Sequence, residues 1–281
     1  MLSIQKNSGI FFKFLSCILL VILVILTLFP FYWAVVSSLK TELDIFKMPP
    51  DWIALNPTFT NYVDLFQKTK TITWAMNSFA VSLSVVVITC ILSTFAGYAF
   101  ARISFTGKAF VFGLIIATML LPKYVMMVPL FKLMINLRWF NTYQGLIIPD
   151  VTGALPLGIF LIRQFMASQP KEIFESATID GCGDSRLLAF IAVPLAKSAI
   201  ASLAILVFVR SWNDYMWQLI VISKDAMKTL PLGLASLQTE NVSLYGQILS
   251  GSVVTAFPLI AIFIMFQKYF VRGLSSGAVK G

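Results

Sequence analysis

KEIFESATIDGCGDSRLLAFIAVPL, residues 171–195, is a charged stretch that lies between long apolar runs. Charged residues make up only 12% of the 281-residue chain, so a cluster of them stands out. The charged members of the stretch are Lys171, Glu172, Glu175, Asp180, Asp184 and Arg186. A segment of this kind needs a surface to lie against, either another protein or the face of a lipid bilayer.

The first half of the stretch has the pattern of a short amphipathic helix. Ile173, Phe174 and Ala177 recur at helical spacing, which makes one face apolar and the opposite face charged. Pro170 suits the first turn of a helix, and Gly181 suits its end, where a positive φ is often needed. The pattern therefore predicts a helix that begins near Pro170 and ends near Gly181.

Composition indicates that the rest of the chain is embedded in a membrane. Hydrophobic residues are 58% of the sequence and the mean hydropathy is +0.87, both above the range of soluble domains. Several apolar runs are about twenty residues long, the length that a membrane-spanning helix needs. We predict an all-α integral membrane protein with a single transmembrane domain over residues 1–281. The six predicted spans cover residues 10–36, 74–100, 109–133, 143–165, 199–222 and 248–270, and the charged stretch belongs to a loop of residues 168–195.

Prolines in the third and fourth spans predict broken helices. Pro122 and Pro129 lie in the third span, and Pro149 and Pro156 lie in the fourth. Proline interrupts helical hydrogen bonding, and membrane proteins tolerate such breaks where the segment lines a cavity rather than facing lipid.

Charge distribution predicts the orientation. Six spans place both termini on one side, which carries eleven basic and four acidic residues, whereas the other side carries seven basic and six acidic residues. The positive side is cytoplasmic by the positive-inside rule, so we expect both termini and the charged loop to face the cytoplasm. Acidic residues outnumber basic ones in that loop, and anionic lipid would repel them. Docking into a protein groove is therefore the favoured interpretation.

Several function classes lack the residues they require. The chain has no histidine, which excludes histidine-based triads, metal sites and proton relays. Cys17, Cys90 and Cys182 are far apart and lack metal-ligand spacing. No GxxxxGK[ST] phosphate loop is present, so the chain does not bind ATP in that way. Basic residues are scattered at span ends, which argues against a nucleic-acid surface. We predict no catalytic residues and no metal site in this chain.

The charged stretch resembles the EAA loop of ABC-importer permeases. That motif reads EAA, three residues, Gly, nine residues, Ile-x-Leu-Pro. The matching positions here are Glu175, Ala177, Gly181, Ile191 and Pro194. Ser176 replaces the first alanine and Val193 replaces the leucine, and both changes keep a small or apolar side chain.

Other stretches narrow the resemblance to the carbohydrate-importer branch, and to its MalG-like subunit. They are NSFAVSLSVVVITCILSTFAGYAFAR at 77–102, LPKYVMMVPLFKLM at 121–134, NTYQGLIIP at 141–149, SWNDYMWQLIV at 211–221 and QKYFVRGLSSGAVKG at 267–281. Two positions depart from the branch. Gln218 stands where a proline is common, and Arg138 stands where a glycine is common, which puts the local turn in doubt.

The resemblance implies a type I ABC-importer permease fold in the bacterial cytoplasmic membrane. It implies a heterodimer with a second permease subunit, two copies of an ABC ATPase and an extracytoplasmic solute-binding protein. No cofactor would be bound by this chain, because ATP and Mg²⁺ would be used by the partner ATPase. The solute would be a sugar or oligosaccharide. The alternatives are another polar solute such as glycerol 3-phosphate, or an ion-coupled secondary transporter, although the chain shows no internal repeat.

The resemblance also implies roles for residues of the charged stretch. Ile173, Phe174 and Ala177 would form the face buried against the ATPase, and Glu175 would pair with a basic residue there. Asp180 and Gly181 would shape the exit turn, or would only cap the helix.

The fifth span carries polar residues in an apolar run. They are Arg210, Asn213 and Asp214, flanked by Trp212, Tyr215 and Trp217. Charged groups at such depth usually face a bundle interior or a cavity. Arg210 and Asp214 are four residues apart, a spacing that predicts an ion pair on one helical face. Aromatic rings beside polar groups suit a sugar, but an ion pair between subunits with aromatic packing fits equally well. Asp150 is a weaker candidate, and Lys123 and Lys132 are expected to reach the outer interface.

Overall fold

The computed structural model describes the backbone of residues 2–238 and 244–278, and the side chains of residues 12–238 and 244–266. The elements that organise these residues are helices. In chain order they are α1 (Leu2–Ser38), α2 (Glu42–Ile45), α3 (Thr60–Lys68), α4 (Thr71–Arg102), α5 (Lys108–Ala117), α6 (Met127–Asn136), α7 (Tyr143–Ser168), α8 (Lys171–Ile179), α9 (Asp184–Arg186), α10 (Val193–Leu195), α11 (Lys197–Trp212), α12 (Met216–Val221), α13 (Leu230–Ala235) and α14 (Tyr245–Ala278). Short 3₁₀ turns cover Thr118–Leu120 and Asp225–Met227, and a π-helix covers Leu187–Ala192.

Four of the described helices are long and apolar enough to cross a membrane. They contain the segments Phe12–Ser38, Thr71–Arg102, Tyr143–Ser168 and Tyr245–Phe266. Asp184–Leu195 and Lys197–Trp212 pass the same test only together, with a bend of 73° between them. The all-α membrane fold is confirmed, whereas the count of six spans and the cytoplasmic position of both termini stay predictions.

The chain forms two compact units. The first consists of Met1–Thr69 and Leu234–Ala256, and the second of Lys70–Gly233 and Phe257–Gly281. Within the first unit, the segment after α1 is held by polar contacts. The Asn61 side-chain amide donates to the carbonyl oxygens of Ser38 and Lys40, both at 2.8 Å. The Tyr32 hydroxyl donates to the Trp52 carbonyl oxygen at 2.6 Å.

The second unit is built on the pairing of α4 with α7. Glycines in both helices allow their backbones to approach closely, as small residues do in membrane bundles. A Cβ atom on Gly97 would lie 2.7 Å from Ile162 Cγ2, and one on Gly158 would collide with Ser93 Oγ. α11 packs beside α4, where the Trp212 ring stacks on Phe208 and meets Phe79 edge-on, each at a centroid distance of 5.5 Å.

Two predicted spans are interrupted. The third span begins as α5 and a 3₁₀ turn. It has no helix through residues 121–126 and continues as α6. The fifth stops at Trp212 and resumes at Met216. The break in the third confirms the prediction made from Pro122 and Pro129.

The predicted break in the fourth span is wrong, because α7 runs as one helix through Pro149 and Pro156. Pro149 has no amide hydrogen for the carbonyl oxygen of Gly145, four residues earlier. The indole Nε1 of Trp217 donates to that oxygen at 2.9 Å instead. A side chain 72 positions away therefore fills the gap that the proline leaves.

Candidate functional site

α8 is the amphipathic helix that the charged stretch predicts. It spans Lys171–Ile179 and directly follows Pro170. At its end, the amide of Gly181 donates to Thr178 and that of Cys182 donates to Ala177, both at 3.0 Å, which is a Schellman motif. Gly181 has φ of 83°, a value that favours glycine over other residues. The predicted helix end is confirmed.

The faces of α8 differ from the expected arrangement. Phe174 is 7% exposed and Ala177 is also buried, and both belong to the hydrophobic core of the chain itself. They are not available to a partner, so the expectation that they form the ATPase-facing surface needs correction. Ile173 and Glu175 remain exposed, together with Ile179, whose side chain is 87% exposed. Sequence periodicity identifies an apolar face but not the surface that covers it.

Arg102, the last residue of α4, contacts both α8 and the end of α7. Its guanidinium lies 4.0 Å from the centre of the Phe174 ring, a cation–π contact. Nη2 of the same group donates to the carbonyl oxygens of Met166 at 2.6 Å and Gln169 at 2.8 Å, at the end of α7. A cation is favourable beside these terminal carbonyls. One side chain thus connects the ends of α4 and α7 to α8, and sequence reasoning missed it.

A second candidate site is a cavity of about 620 Å³ in the second unit. Its walls come from the interrupted third span, from α7, and from the break between α11 and α12. One end is polar and contains Lys123, Asp150, Arg210 and Asp214, while much of the remaining lining is Met, Leu and Pro.

Two ion pairs organise the polar end. Nζ of Lys123 lies 3.1 Å from Oδ2 of Asp214, and Nη2 of Arg210 lies 3.4 Å from Oδ1 of Asp150. The predicted pair between Arg210 and Asp214 is therefore wrong. The helix ends at Trp212, so these two residues do not lie one turn apart on a continuous helix. The Lys123 ammonium group pairs at the cavity, and the expectation that this side chain reaches the outer interface stays a prediction.

The six residues predicted from the fifth span separate into two groups. Arg210, Asp214 and Trp217 line the cavity, whereas Trp212, Asn213 and Tyr215 lie outside its lining. Trp212 is 1% exposed and packs in an aromatic cluster. The side-chain amide of Asn213 donates to the Val209 carbonyl oxygen at 2.8 Å and so caps the end of α11.

Sequence reasoning ranked Asp150 low and missed Lys123 as a cavity residue. Asp150 is only 6% exposed. A charged residue buried in an apolar helix is the signal that marks it. Lys123 gave a weaker signal, because a lysine near a span end ordinarily reaches water.

The chain is similar to known transport proteins over most of its length. Residues 91–276 match the family described as "Binding-protein-dependent transport system inner membrane component". The chain is 39% identical over 225 residues to the arabinooligosaccharides transport system permease protein AraQ of Halalkalibacterium halodurans, which covers 80% of each protein. It is 31% identical to the trehalose/maltose transport system permease protein MalG of Thermococcus litoralis, over 93% of this chain and 94% of that one.

The fold also has a solved counterpart. A chain in the crystal structure of a bacterial ABC transporter involved in the import of the acidic polysaccharide alginate superposes with a TM-score of 0.83. The match covers 94% of this chain and 98% of that chain at 22% identity.

Proposed function

The chain belongs to the family of binding-protein-dependent transport system inner membrane components, and from this premise we propose that it is one of two permease subunits of an ATP-driven importer for a sugar or oligosaccharide. As a family member it is a multi-pass component of the inner membrane. The companion permease, two ATPase subunits and an extracytoplasmic binding protein would complete the assembly. ATP and Mg²⁺ would be used by the ATPase.

The observation that carries the coupling role is the outward face of α8. Glu175 and Ile179 are exposed on the side of α8 that faces away from the buried Phe174 and Ala177, and Ile173 is partly exposed at the edge of the buried face. Ile179 would add apolar contact area to a partner surface that meets this side of α8. Glu175 would pair there with a basic residue of the ATPase.

Force arriving at α8 has a direct route to the membrane helices. Arg102 contacts Phe174 and the terminal carbonyl groups of α7, and it is itself the last residue of α4. A helix fixed in this way moves as one body with the ends of α4 and α7. Motion of the ATPase would thereby reach the two helices that form the core of the second unit.

Purification from native membranes tests the assembly. Tagged chain should bring down a second permease and an ATPase. Proteoliposomes of this complex should take up labelled arabinotriose, maltotriose or trehalose when ATP and the loaded binding protein are supplied. Transport by this chain alone, driven by an ion gradient without ATP, would contradict the proposal.

Two substitutions in α8 and its exit test the coupling role. Glu175→Lys reverses a charge at the exposed face, and Gly181→Asp places a side chain at φ of 83°. We expect both variants to insert and assemble but to hydrolyse ATP with less transport per ATP. Glu175→Gln, which removes the charge without reversing it, should lie between parent and Glu175→Lys. Parent rates of transport and hydrolysis in the assembled variants would rule out the role.

A further inference from the structure

We infer that the cavity of this subunit is itself a binding site for an uncharged polyhydroxy solute, and that an acidic solute is disfavoured there. This inference rests on the proposed importer function and names the solute class and the residues that select it. The residues are Lys123, Asp150, Arg210 and Asp214, which form the polar end.

Charge balance at the polar end favours an uncharged solute. Two cations face two carboxylates, paired as Lys123 with Asp214 and Arg210 with Asp150. An anionic solute would have to take a cation from its carboxylate and leave that carboxylate buried without a partner, which is costly. Hydroxyl groups can donate to the carboxylates and accept from the ammonium and guanidinium groups while both pairs persist.

Asp150 has unused capacity to accept a hydrogen bond. Its Oδ1 lies 3.4 Å from Arg210 Nη2, longer than an ordinary hydrogen bond. Among the described residues no group donates to this buried oxygen with ordinary hydrogen-bond geometry; the Ser211 hydroxyl, which interacts with the same carboxyl group, is itself buried without an ordinary hydrogen bond. Buried acceptors are normally satisfied, so a donor from a bound molecule would complete the site.

Gly153 sets the position of the guanidinium group. A Cβ atom at this position would lie 2.5 Å from Arg210 Nη2. Gly153 lies one helical turn after Asp150 in α7. Because it has no side chain, the Arg210 guanidinium can lie against α7 at this point. Gly153→Ala is therefore expected to displace the guanidinium without changing any charge.

The apolar walls suit the carbon faces of a sugar ring. Met126, Met127, Leu130 and Trp217 are among the lining residues. The Trp217 indole nitrogen is already bonded to Gly145, so this residue offers ring surface rather than a donor. The volume of about 620 Å³ lies within the range typical of small-molecule sites.

The alternative role of the two ion pairs is to brace the interrupted helices, and an exchange of the two charges in one pair distinguishes bracing from solute binding. Lys123→Asp combined with Asp214→Lys keeps an ion pair but inverts donor and acceptor. If the ion pair only braces the helices, the complex with both charges exchanged should bind sugar as the parent complex does. A binding role predicts that the exchanged complex assembles yet binds sugar about tenfold more weakly, the loss expected for one charged hydrogen bond.

Protection of an introduced cysteine measures occupancy. This chain, with its own three cysteines changed to serine, carries Met126→Cys on the cavity wall and is assembled with its partner subunits. Val125→Cys is the matched control, because Val125 is exposed and does not line the cavity. Alkylation by a maleimide is followed in lipid nanodiscs without binding protein or nucleotide. The probes are arabinotriose, maltotriose and trehalose, with trigalacturonate as the acidic comparison.

We expect a neutral probe to slow alkylation of Met126→Cys and to leave Val125→Cys unchanged, with no protection by trigalacturonate. Asp150→Asn and Gly153→Ala should each raise the concentration needed for protection about tenfold. Lys123→Gln should do the same, whereas Lys132→Gln, on the exposed side of α6, should not.

The outcomes separate this inference from the proposed function. If a neutral probe stimulates ATP hydrolysis through the loaded binding protein but never protects Met126→Cys, the site is wrong and the importer function stands. Protection by trigalacturonate alone overturns the solute class. Rescue of binding by the charge exchange overturns the binding role. If no probe stimulates the ATPase, the sugar-importer function itself fails, and the site assignment fails with it.

Discussion

The indole Nε1 of Trp217 donates to the carbonyl oxygen of Gly145 at 2.9 Å, across 72 positions of the chain. In an uninterrupted helix that oxygen would accept from the amide of residue 149, which is proline here. The bond both repairs α7 and attaches α12 to it. Trp217 is thus a structural residue as well as a wall of the cavity.

Trp217→Phe should destabilise the protein by about 1–3 kcal/mol, because it keeps an aromatic ring but leaves the Gly145 oxygen unsatisfied. Thermal unfolding of the complex in detergent measures the loss. Pro149→Ala supplies the missing amide and is the matched background. In the Pro149→Ala protein, Trp217→Phe should lower the free energy of unfolding by clearly less than it does in the parent. An equal loss in the two proteins would show that the bond does not stabilise α7.

Arg138 adopts φ of 60° at the end of α6, where the amides of Arg138 and Trp139 donate to Ile135 and Met134 in a Schellman motif. The turn that glycine usually makes at this position is therefore kept, with strain. Arg138→Gly should stabilise the protein by up to about 1 kcal/mol, since the left-handed conformation is unfavourable for a residue with a Cβ. A higher unfolding temperature of the purified complex is the expected readout.

Asn141 is the contrasting position for this prediction. It also has a positive φ, of 56°, but its Oδ1 accepts from the amides of Ser223 and Lys224 at 2.7 and 2.9 Å. Asn141→Gly should lower the unfolding temperature, because the lost hydrogen bonds outweigh the relief of strain. Equal shifts at both positions would contradict the explanation.

Ile179 and Phe174 lie on opposite sides of α8, and their substitutions should have opposite consequences. Ile179→Ser should leave the unfolding temperature unchanged and reduce the amount of ATPase retained during purification. Phe174→Ala should destabilise the chain by about 3 kcal/mol or more, because it empties part of the core. Loss of ATPase from the Phe174 variant at full stability would reverse the assignment of the two faces.

Arg102→Met should weaken both stability and coupling. The variant loses two hydrogen bonds to the end of α7 and the contact with Phe174, a cost of about 1.5–3 kcal/mol for the charged hydrogen bonds. Transport per ATP hydrolysed by the assembled complex is the decisive measurement.

Arg163→Met is the control for Arg102→Met, since the Arg163 guanidinium also lies over a ring, that of Phe112 at 4.2 Å. Its effect on coupling should be small. If both variants couple normally, Arg102 does not transmit motion from α8.

Local features of the molecule followed directly from the amino-acid sequence. Hydropathy identified a helical membrane protein, and the motif from Glu175 to Pro194 indicated the family that the comparison then established. Pro170 and Gly181 located the ends of α8, because proline and glycine restrict or permit backbone angles that depend only on neighbouring atoms.

Only the tertiary structure decided which side chains meet. Asp150 pairs with Arg210 and Lys123 with Asp214, although spacing alone favoured Arg210 with Asp214. Phe174 turned inward because the ends of α4 and α7 lie there, and α7 stayed intact because Trp217 reaches Gly145. Each outcome depends on groups far apart in the chain. Helical periodicity records which residues share a face, but the distances that decide ion pairing, burial and hydrogen bonding arise only when the helices pack.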